Sequence, residues 1–173
     1  MKNIVLTGFM GTGKTEVGRV LAKKLGYSFI DADAEIEKTA GMTISEIFSS
    51  HGEQAFRDIE SAVILSLSMH ERAVISTGGG AVLRQGNMDN LRRKGVIACL
   101  EASAATILGR TEGSDDRPLL RAEDRLARIK EMLAARRPYY EKADIMVDTE
   151  GKSPIAIADE IMEEMRSYEK GKG

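Results

Sequence analysis

The apolar residues of this chain fall into short continuous runs that alternate with segments of helical spacing. The runs lack the polar alternation that is typical of a half-exposed strand. The predicted strands cover residues 3–8, 27–31, 73–77, 96–100 and 145–148. Strands that are apolar on both sides and separated by helices are typical of a parallel sheet covered on both faces. The pattern therefore predicts an α/β fold.

The segments between the runs predict the helices. Apolar residues recur at helical spacing from Val17 to Leu25, and Gly26 ends that helix. The region 32–70 predicts several short helices, because glycine-containing segments at 40–43 and 49–53 interrupt it.

The second half of the chain continues the alternation. It predicts a helix around 88–95, a helix from Leu126 that ends before Pro138, and a last helix over 153–165 that begins at Pro154. Residues 168–173 show no periodicity and are predicted to be a disordered tail. We therefore expect a single domain over residues 1–167.

Composition and charge narrow the range of functions. The 173 residues suffice for one domain with a substantial core, and the net charge of −2 gives no basic field for nucleic acid or anionic membranes. One cysteine excludes an internal disulfide framework. No leader segment and no apolar run of membrane-spanning length is recognisable. We expect a cytoplasmic monomer that binds neither nucleic acid nor membrane.

Polar and glycine-rich segments follow three of the predicted strands, at 8–15, 31–33 and 77–80. In parallel sheets, ligands bind at the carboxyl ends of the strands. The first segment, GFMGTGKT, fits the P-loop pattern in full. Its glycines let backbone N–H groups curl around phosphate oxygens, Lys14 reaches the β- and γ-phosphates, and the Thr15 hydroxyl coordinates Mg²⁺. The segment predicts a nucleoside triphosphate site.

Other P-loop classes fit less well. A guanine-reading N-K-x-D string is absent, since the nearest string is EKAD at 141–144. The acidic end of IMVD, Asp148, lies far from the strand position at which motor ATPases carry their Mg²⁺-associated aspartate, so Asp31 is the better acidic partner. The DGxPR string of nucleoside monophosphate kinases is also absent.

Six motifs follow one another along the chain: GFMGTGKT (8–15), DADAEIE (31–37), GEQAFRDIE (52–60), STGGGAV (76–82), RPLL (117–120) and RRPYYEKAD (136–144). In order and spacing they resemble the shikimate kinase family, and the resemblance spans residues 1–165. It implies phosphorylation of the 3-hydroxyl of shikimate by ATP with Mg²⁺, in aromatic amino acid biosynthesis. It also implies a three-layer P-loop kinase fold with strand order 2-3-1-4-5, similar to nucleoside monophosphate kinases, and a mobile lid.

Acceptor chemistry can be read from residue types as well. Shikimate carries a carboxylate and hydroxyls, and guanidinium groups pair bidentately with carboxylates. Arg57 and Arg136 suit this role, although the adjacent Arg137 could be the inward residue instead. By resemblance, Asp33 binds the acceptor hydroxyls and serves as a candidate general base, while Gly78, Gly79 and Gly80 form a backbone platform for the ring. The resemblance also implies that residues 32–61 form a substrate-binding helical region and that Arg117 is a further substrate-binding residue.

The resemblance also assigns the nucleotide site. The nucleotide-binding residues it implies are Gly11, Thr12, Gly13, Lys14, Thr15, Glu16, Arg110, Arg117 and Pro154. Arg110 and Pro154 are similar to a pair that sandwiches adenine. The implied metal-binding residues are Thr15, directly, and Asp31 and Ser76 through water.

A polar segment without helical periodicity surrounds Arg117, and we expect residues 112–121 to form a lid that excludes water. Arg117 would then neutralise the transferred phosphoryl group, as a catalytic residue beside Lys14 and Asp33.

Phe48 and Phe56 either wall the acceptor pocket or belong to the core. Two other functions remain open: a nucleotide-dependent regulatory module, and a kinase for another acidic polyol such as gluconate.

Overall fold

The computed structural model describes residues 2–111 and 124–171. Its centre is one parallel five-stranded sheet, and the strand order β2-β3-β1-β4-β5 confirms the expected order. The strands are β1 (Asn3–Gly8), β2 (Ser28–Asp31), β3 (Ala73–Ser76), β4 (Gly95–Glu101) and β5 (Ile145–Asp148). Leu6 of β1 pairs with Ser76 on one side and with Ala98 on the other. β1 therefore lies at the centre of the sheet, where all six of its residues are buried.

Helices cover both faces of the sheet and make three layers. The helices are α1 (Lys14–Leu25), α2 (Ala32–Ala40), α3 (Ile44–Leu67), α4 (Gln85–Lys94), α5 (Ala104–Thr111), α6 (Arg125–Tyr140) and α7 (Pro154–Gly171), with a 3₁₀ turn at Ala81–Leu83. Ile4 and Leu6 face α1 and α7, whereas Val5 between them faces the other helices. Because successive strand residues point to opposite faces, a continuous apolar run serves both cores.

Glycines shape the two helices that follow β2. α2 ends at Gly41, which has a left-handed φ of 67°, and α3 begins with a capping box between Thr43 and Glu46. The predicted interruption at 40–43 is confirmed. Within α3, Gly52 has a non-helical φ of 82° and ψ of 172°, so the second predicted interruption is a kink inside one long helix.

The prediction that the helix ends before Pro138 is wrong, because α6 continues to Tyr140. A proline in the last turn removes only one helical hydrogen bond, that of its own missing N–H. The Tyr140 hydroxyl donates to the carbonyl of Gly79 at 2.7 Å, and Glu141 N–H donates to the carbonyl of Arg137 at 3.0 Å. These bonds hold the last turn beyond the proline.

The end of the chain also differs from the expected tail. α7 continues to Gly171, over most of the segment predicted to be disordered. Tyr168 packs against the α1–α7 core, and its hydroxyl donates to Asp144 at 2.8 Å. The predicted lid at 112–121, with Arg117, lies outside the described residues. Among the helices that are described, none combines the length and the apolar content needed to cross a bilayer.

Candidate active site

A cleft of about 470 Å³ opens at the carboxyl ends of β1, β2 and β3. Most of the residues that the sequence assigned to nucleotide, metal and acceptor binding line it. The lining residues are Met10, Gly11, Thr12, Gly13, Lys14, Thr15, Glu16, Val17, Asp31, Asp33, Ser76, Thr77, Gly78, Gly79, Arg110, Lys152, Pro154 and Ile157. The three segments predicted to meet at this edge of the sheet do so.

The P-loop (residues 8–15) joins β1 to α1 through three glycines with left-handed backbone. Gly8, Gly11 and Gly13 have φ values of 131°, 79° and 90°. A side chain at Gly11 would also meet the Thr111 methyl group at 2.8 Å. The loop delivers the N-terminus of α1 to the cleft, and the first N–H groups of a helix have no partner within the helix. The cleft therefore presents backbone donors and a positive dipole end, a suitable site for phosphate.

Lys14 lies across the P-loop and lines the cleft. Its ammonium group donates to the carbonyls of Gly8 and Phe9, each at 2.9 Å. These bonds keep a mostly buried positive charge beside the backbone donors of the loop. The charge of Lys14 thus adds to the field that would attract a phosphate group.

The three predicted metal-binding residues come together. The Thr15 hydroxyl donates to Asp31 Oδ2 at 3.1 Å, and Asp31 pairs with Ser76 across β2 and β3. Asp31 Oδ1 caps α2 by accepting from the Asp33 N–H at 3.0 Å, which fixes the carboxylate. Hydroxyl and carboxylate oxygens are hard donors of the kind that Mg²⁺ takes alongside phosphate and water. Elsewhere in residues 2–111 and 124–171, no cluster of three histidine, cysteine or acidic side chains could hold a metal.

The glycine loop (Gly78–Gly80) is surrounded by the predicted acceptor residues. A methyl group added at Gly78 would lie 2.9 Å from Asp33 Oδ1 and 3.0 Å from Glu60 Oε1. At Gly80 it would overlap the guanidinium of Arg57, 2.6 Å from its Cζ. The left-handed region is not involved here, since none of the three glycines has a positive φ. A side chain at Gly78 or Gly80 would displace charged side chains of the protein itself, because their ends occupy the space of a Cβ.

The middle glycine lies close to both the P-loop and α6. A methyl group at Gly79 would lie 3.3 Å from Arg136 Nη1 and 3.3 Å from both the Gly8 carbonyl and the Met10 nitrogen. Gly79 is therefore wedged between the P-loop and an arginine of α6. Arg57, Gly80 and Arg136 are not among the residues that line the cleft, and the two arginines lie against this loop.

Arg57 belongs to a buried ion-pair network on α3. Its guanidinium donates to Glu60 at 2.7 Å and to Glu53 at 3.3 Å, and it lies 5.0 Å from the centre of the Phe56 ring. Within the described part of the chain, Arg57 Nε and Glu60 Oε1 are buried without a hydrogen-bond partner. Burial raises the pKa of Glu60, and the nearby Asp33 carboxylate raises it further, against the opposing effect of Arg57.

Arg136 and Arg137 point in opposite directions, which resolves the alternative that the sequence left open. Arg136 is buried, its guanidinium lies 5.4 Å from the Phe9 ring centre, and its Nη1 has no hydrogen-bond partner among the residues described. The Arg137 side chain is 76% exposed and pairs with Glu141 at 2.6 Å. Arg136 is the inward residue.

Arg110 and Pro154 both line the cleft. The Arg110 guanidinium donates to the Gly11 carbonyl at 3.3 Å, to the Thr149 hydroxyl at 3.2 Å and to the Thr149 carbonyl at 3.4 Å. These bonds tie the end of α5 to the P-loop and to the turn after β5. The adenine contact of Arg110 and Pro154 stays a prediction.

Sequence reasoning missed several residues of this site. Glu60 is three residues from Arg57 and Tyr140 is four from Arg136, so helical spacing places each on the face of a predicted arginine and could have indicated them. Met10 and Lys152 line the cleft without a recognisable signal. Phe56 is buried and Phe48 partly buried, with ring centroids 4.8 Å apart, and both belong to the core.

Comparison with known proteins identifies the family. The family model for shikimate kinase matches residues 10–166. A shikimate kinase of Thermodesulfovibrio yellowstonii is 54% identical over 172 residues, covering 99% of either chain. A shikimate kinase of Caldanaerobacter subterraneus is 47% identical over 173 residues, covering 100% of this chain and 99% of the relative. The solved structure of the Acinetobacter baumannii shikimate kinase in complex with shikimate is 36% identical, has a TM-score of 0.94 and covers 96% of this chain and 94% of that one. This chain belongs to the shikimate kinase family.

Proposed function

We propose that this protein transfers the γ-phosphoryl group of ATP to the 3-hydroxyl of shikimate, giving shikimate 3-phosphate and ADP in aromatic amino acid biosynthesis. One observation carries the proposal: Asp33, Arg57 and Arg136 surround the glycine loop, which touches the P-loop through Gly79. A phosphate site alone fits many proteins. Two buried arginines beside a carboxylate suit an acceptor that carries both an acid group and hydroxyls.

The nucleotide half of the cleft is the P-loop, Glu16, Asp31, Ser76, Arg110 and Pro154. Backbone N–H groups from Gly11 to Glu16 would bind the phosphates, and the Lys14 ammonium would hold the β- and γ-phosphates. Thr15 directly, and Asp31 and Ser76 through water, would hold Mg²⁺, which neutralises phosphate charge when bound. The adenine would lie between Arg110 and Pro154.

The acceptor half of the site is Asp33, Arg57, Glu60, the glycine loop and Arg136, and of these Asp33, Gly78 and Gly79 line the cleft. The carboxylate of shikimate would bind the two guanidinium groups, which satisfies the partnerless Nη1 of Arg136. N–H groups of the glycine loop would hold the ring, and Asp33 would accept hydrogen bonds from the hydroxyls. Arg57 stays paired with Glu60, and this bond fixes the direction of the Arg57 guanidinium group.

The reaction follows from these positions. The 3-hydroxyl oxygen attacks the γ-phosphorus, a new O–P bond forms, and the bond from the γ-phosphorus to the bridging oxygen breaks, so that ADP leaves with that electron pair. The hydroxyl proton passes to the Asp33 carboxylate. Lys14 and Arg117 would stabilise the charge on the transferred group. Arg117 and the lid at 112–121 enter this proposal from the sequence.

Two alternatives are separable by experiment. A regulatory nucleotide-binding module has no use for a pair of buried arginines beside Asp33, and a gluconate kinase would accept a different polyol. A cytoplasmic location and the lack of nucleic-acid and membrane partners, on the grounds of charge and composition given above, and a monomeric state complete the proposal.

A coupled assay of ADP release with shikimate, quinate, gluconate and nucleoside monophosphates tests the proposal. We expect ADP release with shikimate far above that with the other acceptors, and a product whose ³¹P NMR spectrum is that of a phosphate ester at the 3-position. The Lys14→Ala variant controls for contaminating kinases. Release that does not depend on shikimate, or that is faster with another acceptor, would overturn the proposed function.

A further inference from the structure

Tyr140 contacts the glycine loop from the last turn of α6, and none of the steps above uses it. Its side chain is buried, and its hydroxyl donates to the Gly79 carbonyl at 2.7 Å. The neighbouring Tyr139 is 38% exposed, with its ring 5.5 Å from the Lys142 ammonium. Of these two adjacent tyrosines, Tyr140 is buried in contact with the site, and Tyr139 lies at the surface.

The three carbonyls of the glycine loop have different partners. The Gly78 carbonyl accepts from the Ala81 N–H at 3.1 Å, and the Gly80 carbonyl accepts from the Leu83 N–H at 3.1 Å. The first bond closes the turn over Gly79 and Gly80, and the second belongs to the 3₁₀ turn that follows the loop. The Gly79 carbonyl accepts instead from Tyr140, a side chain 61 residues away in the sequence. One side-chain hydroxyl therefore anchors the middle of the loop.

The same bond sets the direction of a backbone donor. The Gly79 carbonyl and the Gly80 N–H belong to one peptide group, and in a trans peptide they point in opposite directions. The described backbone contains no cis peptide. Because Tyr140 holds the carbonyl towards α6, the Gly80 N–H points away from α6. Glycine has no side chain to restrict this peptide, so the Tyr140 contact and the two turn bonds together fix its orientation.

Tyr140 also fixes the distance between the glycine loop and Arg136. Tyr140 and Arg136 are one helical turn apart on α6, and Arg136 Nη1 lies against Gly79. Burial raises the pKa of Tyr140 to about 12, against the opposing effect of the Arg136 charge. The hydroxyl is therefore protonated throughout the neutral range and remains a donor.

We propose that Tyr140 is a positioning residue for the acceptor, which orients the Gly79–Gly80 peptide and holds Arg136 at the distance that shikimate binding requires. The inference rests on the proposed function, because it concerns the acceptor half of the same cleft. It assigns Tyr140 no contact with the reacting atoms. Its effect reaches the acceptor through the backbone of the glycine loop.

The Tyr140→Phe variant removes one oxygen and keeps the ring, and Tyr139→Phe makes the same change one position away. A buried hydrogen bond of this kind changes an equilibrium by roughly three- to tenfold. We therefore expect the KM for shikimate to rise about three- to tenfold in Tyr140→Phe, while the KM for ATP stays within about twofold of the wild type. Tyr139→Phe should match the wild type in both constants.

A second measurement reads the peptide directly in the free protein. The ¹H–¹⁵N resonance of Gly80 should shift in Tyr140→Phe and stay in place in Tyr139→Phe. Equal rises in the two KM values, or an unchanged KM for shikimate, would reduce Tyr140 to a packing residue and overturn the inference. An unchanged Gly80 resonance in Tyr140→Phe would also overturn the inference. If the wild type fails to phosphorylate shikimate, the proposed function falls, and the Gly80 resonance still decides whether Tyr140 orients the peptide.

Discussion

The nucleotide half of the cleft is built mainly from one continuous segment of eight residues, whereas the acceptor half combines residues between positions 33 and 136. The P-loop binds through backbone groups whose direction is set by glycines next to them in the chain. The acceptor half depends on charged side chains from α2, α3 and α6 that meet only because the sheet brings their helices together. The first half is a local property of the sequence, and the second is a property of the fold.

The two halves also differ in how their charges are compensated. Lys14 donates to backbone carbonyls of its own loop. Arg57 pairs with Glu60, and both carry a buried polar atom that lacks a partner within the described residues. Removing one member of a buried pair leaves an uncompensated charge. Substitutions in the acceptor half should therefore affect stability as well as binding.

The largest effect is expected in the nucleotide half. Lys14→Ala removes a positive charge aimed at the phosphates, and groups of this type contribute on the order of 10²- to 10³-fold in rate. We expect a loss of turnover of that order, with shikimate affinity retained. Lys23→Ala, an exposed lysine on the same helix, is the matched control. Turnover within about tenfold of the wild type, measured by ADP release, would mean that Lys14 does not serve the transferred phosphate.

In the acceptor half, Arg57→Ala should weaken shikimate far more than ATP. Truncating one partner of a buried charge pair costs about 2–5 kcal/mol, which is at least about thirtyfold in affinity. The unpaired Glu60 should also lower the free energy of unfolding by about 3–5 kcal/mol. Titration calorimetry and urea unfolding measure the two effects, with the exposed Arg93→Ala as control. A parallel fall in both affinities would remove the distinction between the halves.

The contrast explains what could be predicted from the sequence. The P-loop and its acidic partner Asp31 followed from contiguous motifs and from the rule for parallel sheets, and the strand order followed from the family resemblance. The choice between Arg136 and Arg137 did not, because both lie in one polar string and only the packing of α6 turns one of them inward. Glu60 was missed because it looks like an ordinary helix-surface residue until the structure shows that it is buried.

The glycine loop offers a sharper comparison within the acceptor half. Gly80→Ala places a methyl group on the Arg57 guanidinium, whereas Gly86→Ala on α4 meets no atom within 4 Å in the described structure. Overpacking costs about 1–3 kcal/mol, so shikimate affinity should fall about tenfold in Gly80→Ala while ATP affinity holds. Gly86→Ala should bind both ligands normally. Normal shikimate affinity in Gly80→Ala would show that the Arg57 side chain can shift without weakening shikimate binding.

The smallest effect concerns the pH dependence of stability. Burial raises the pKa of Glu60 in the folded state, so the folded protein holds this proton more tightly than the unfolded chain. Glu60 therefore stabilises the fold at pH values below its pKa in the unfolded chain. This contribution is lost as the pH rises through its pKa in the folded protein. The stability of the wild type relative to Glu60→Gln should therefore fall with rising pH in urea unfolding. A relative stability that rises instead would mean that the attraction of Arg57 outweighs burial.

The central claim is that one cleft joins a phosphate site to a separate pair of arginines for the acceptor. The most direct test measures the shikimate and Mg²⁺–ADP affinities of Arg136→Ala and Arg137→Ala by titration calorimetry. Our account predicts that Arg136→Ala weakens shikimate by at least about tenfold, since it removes a buried charge from the acceptor half, and leaves Mg²⁺–ADP binding unchanged. Arg137→Ala should change neither affinity. Equal effects of the two variants on shikimate, or a loss of nucleotide binding in Arg136→Ala, would contradict it.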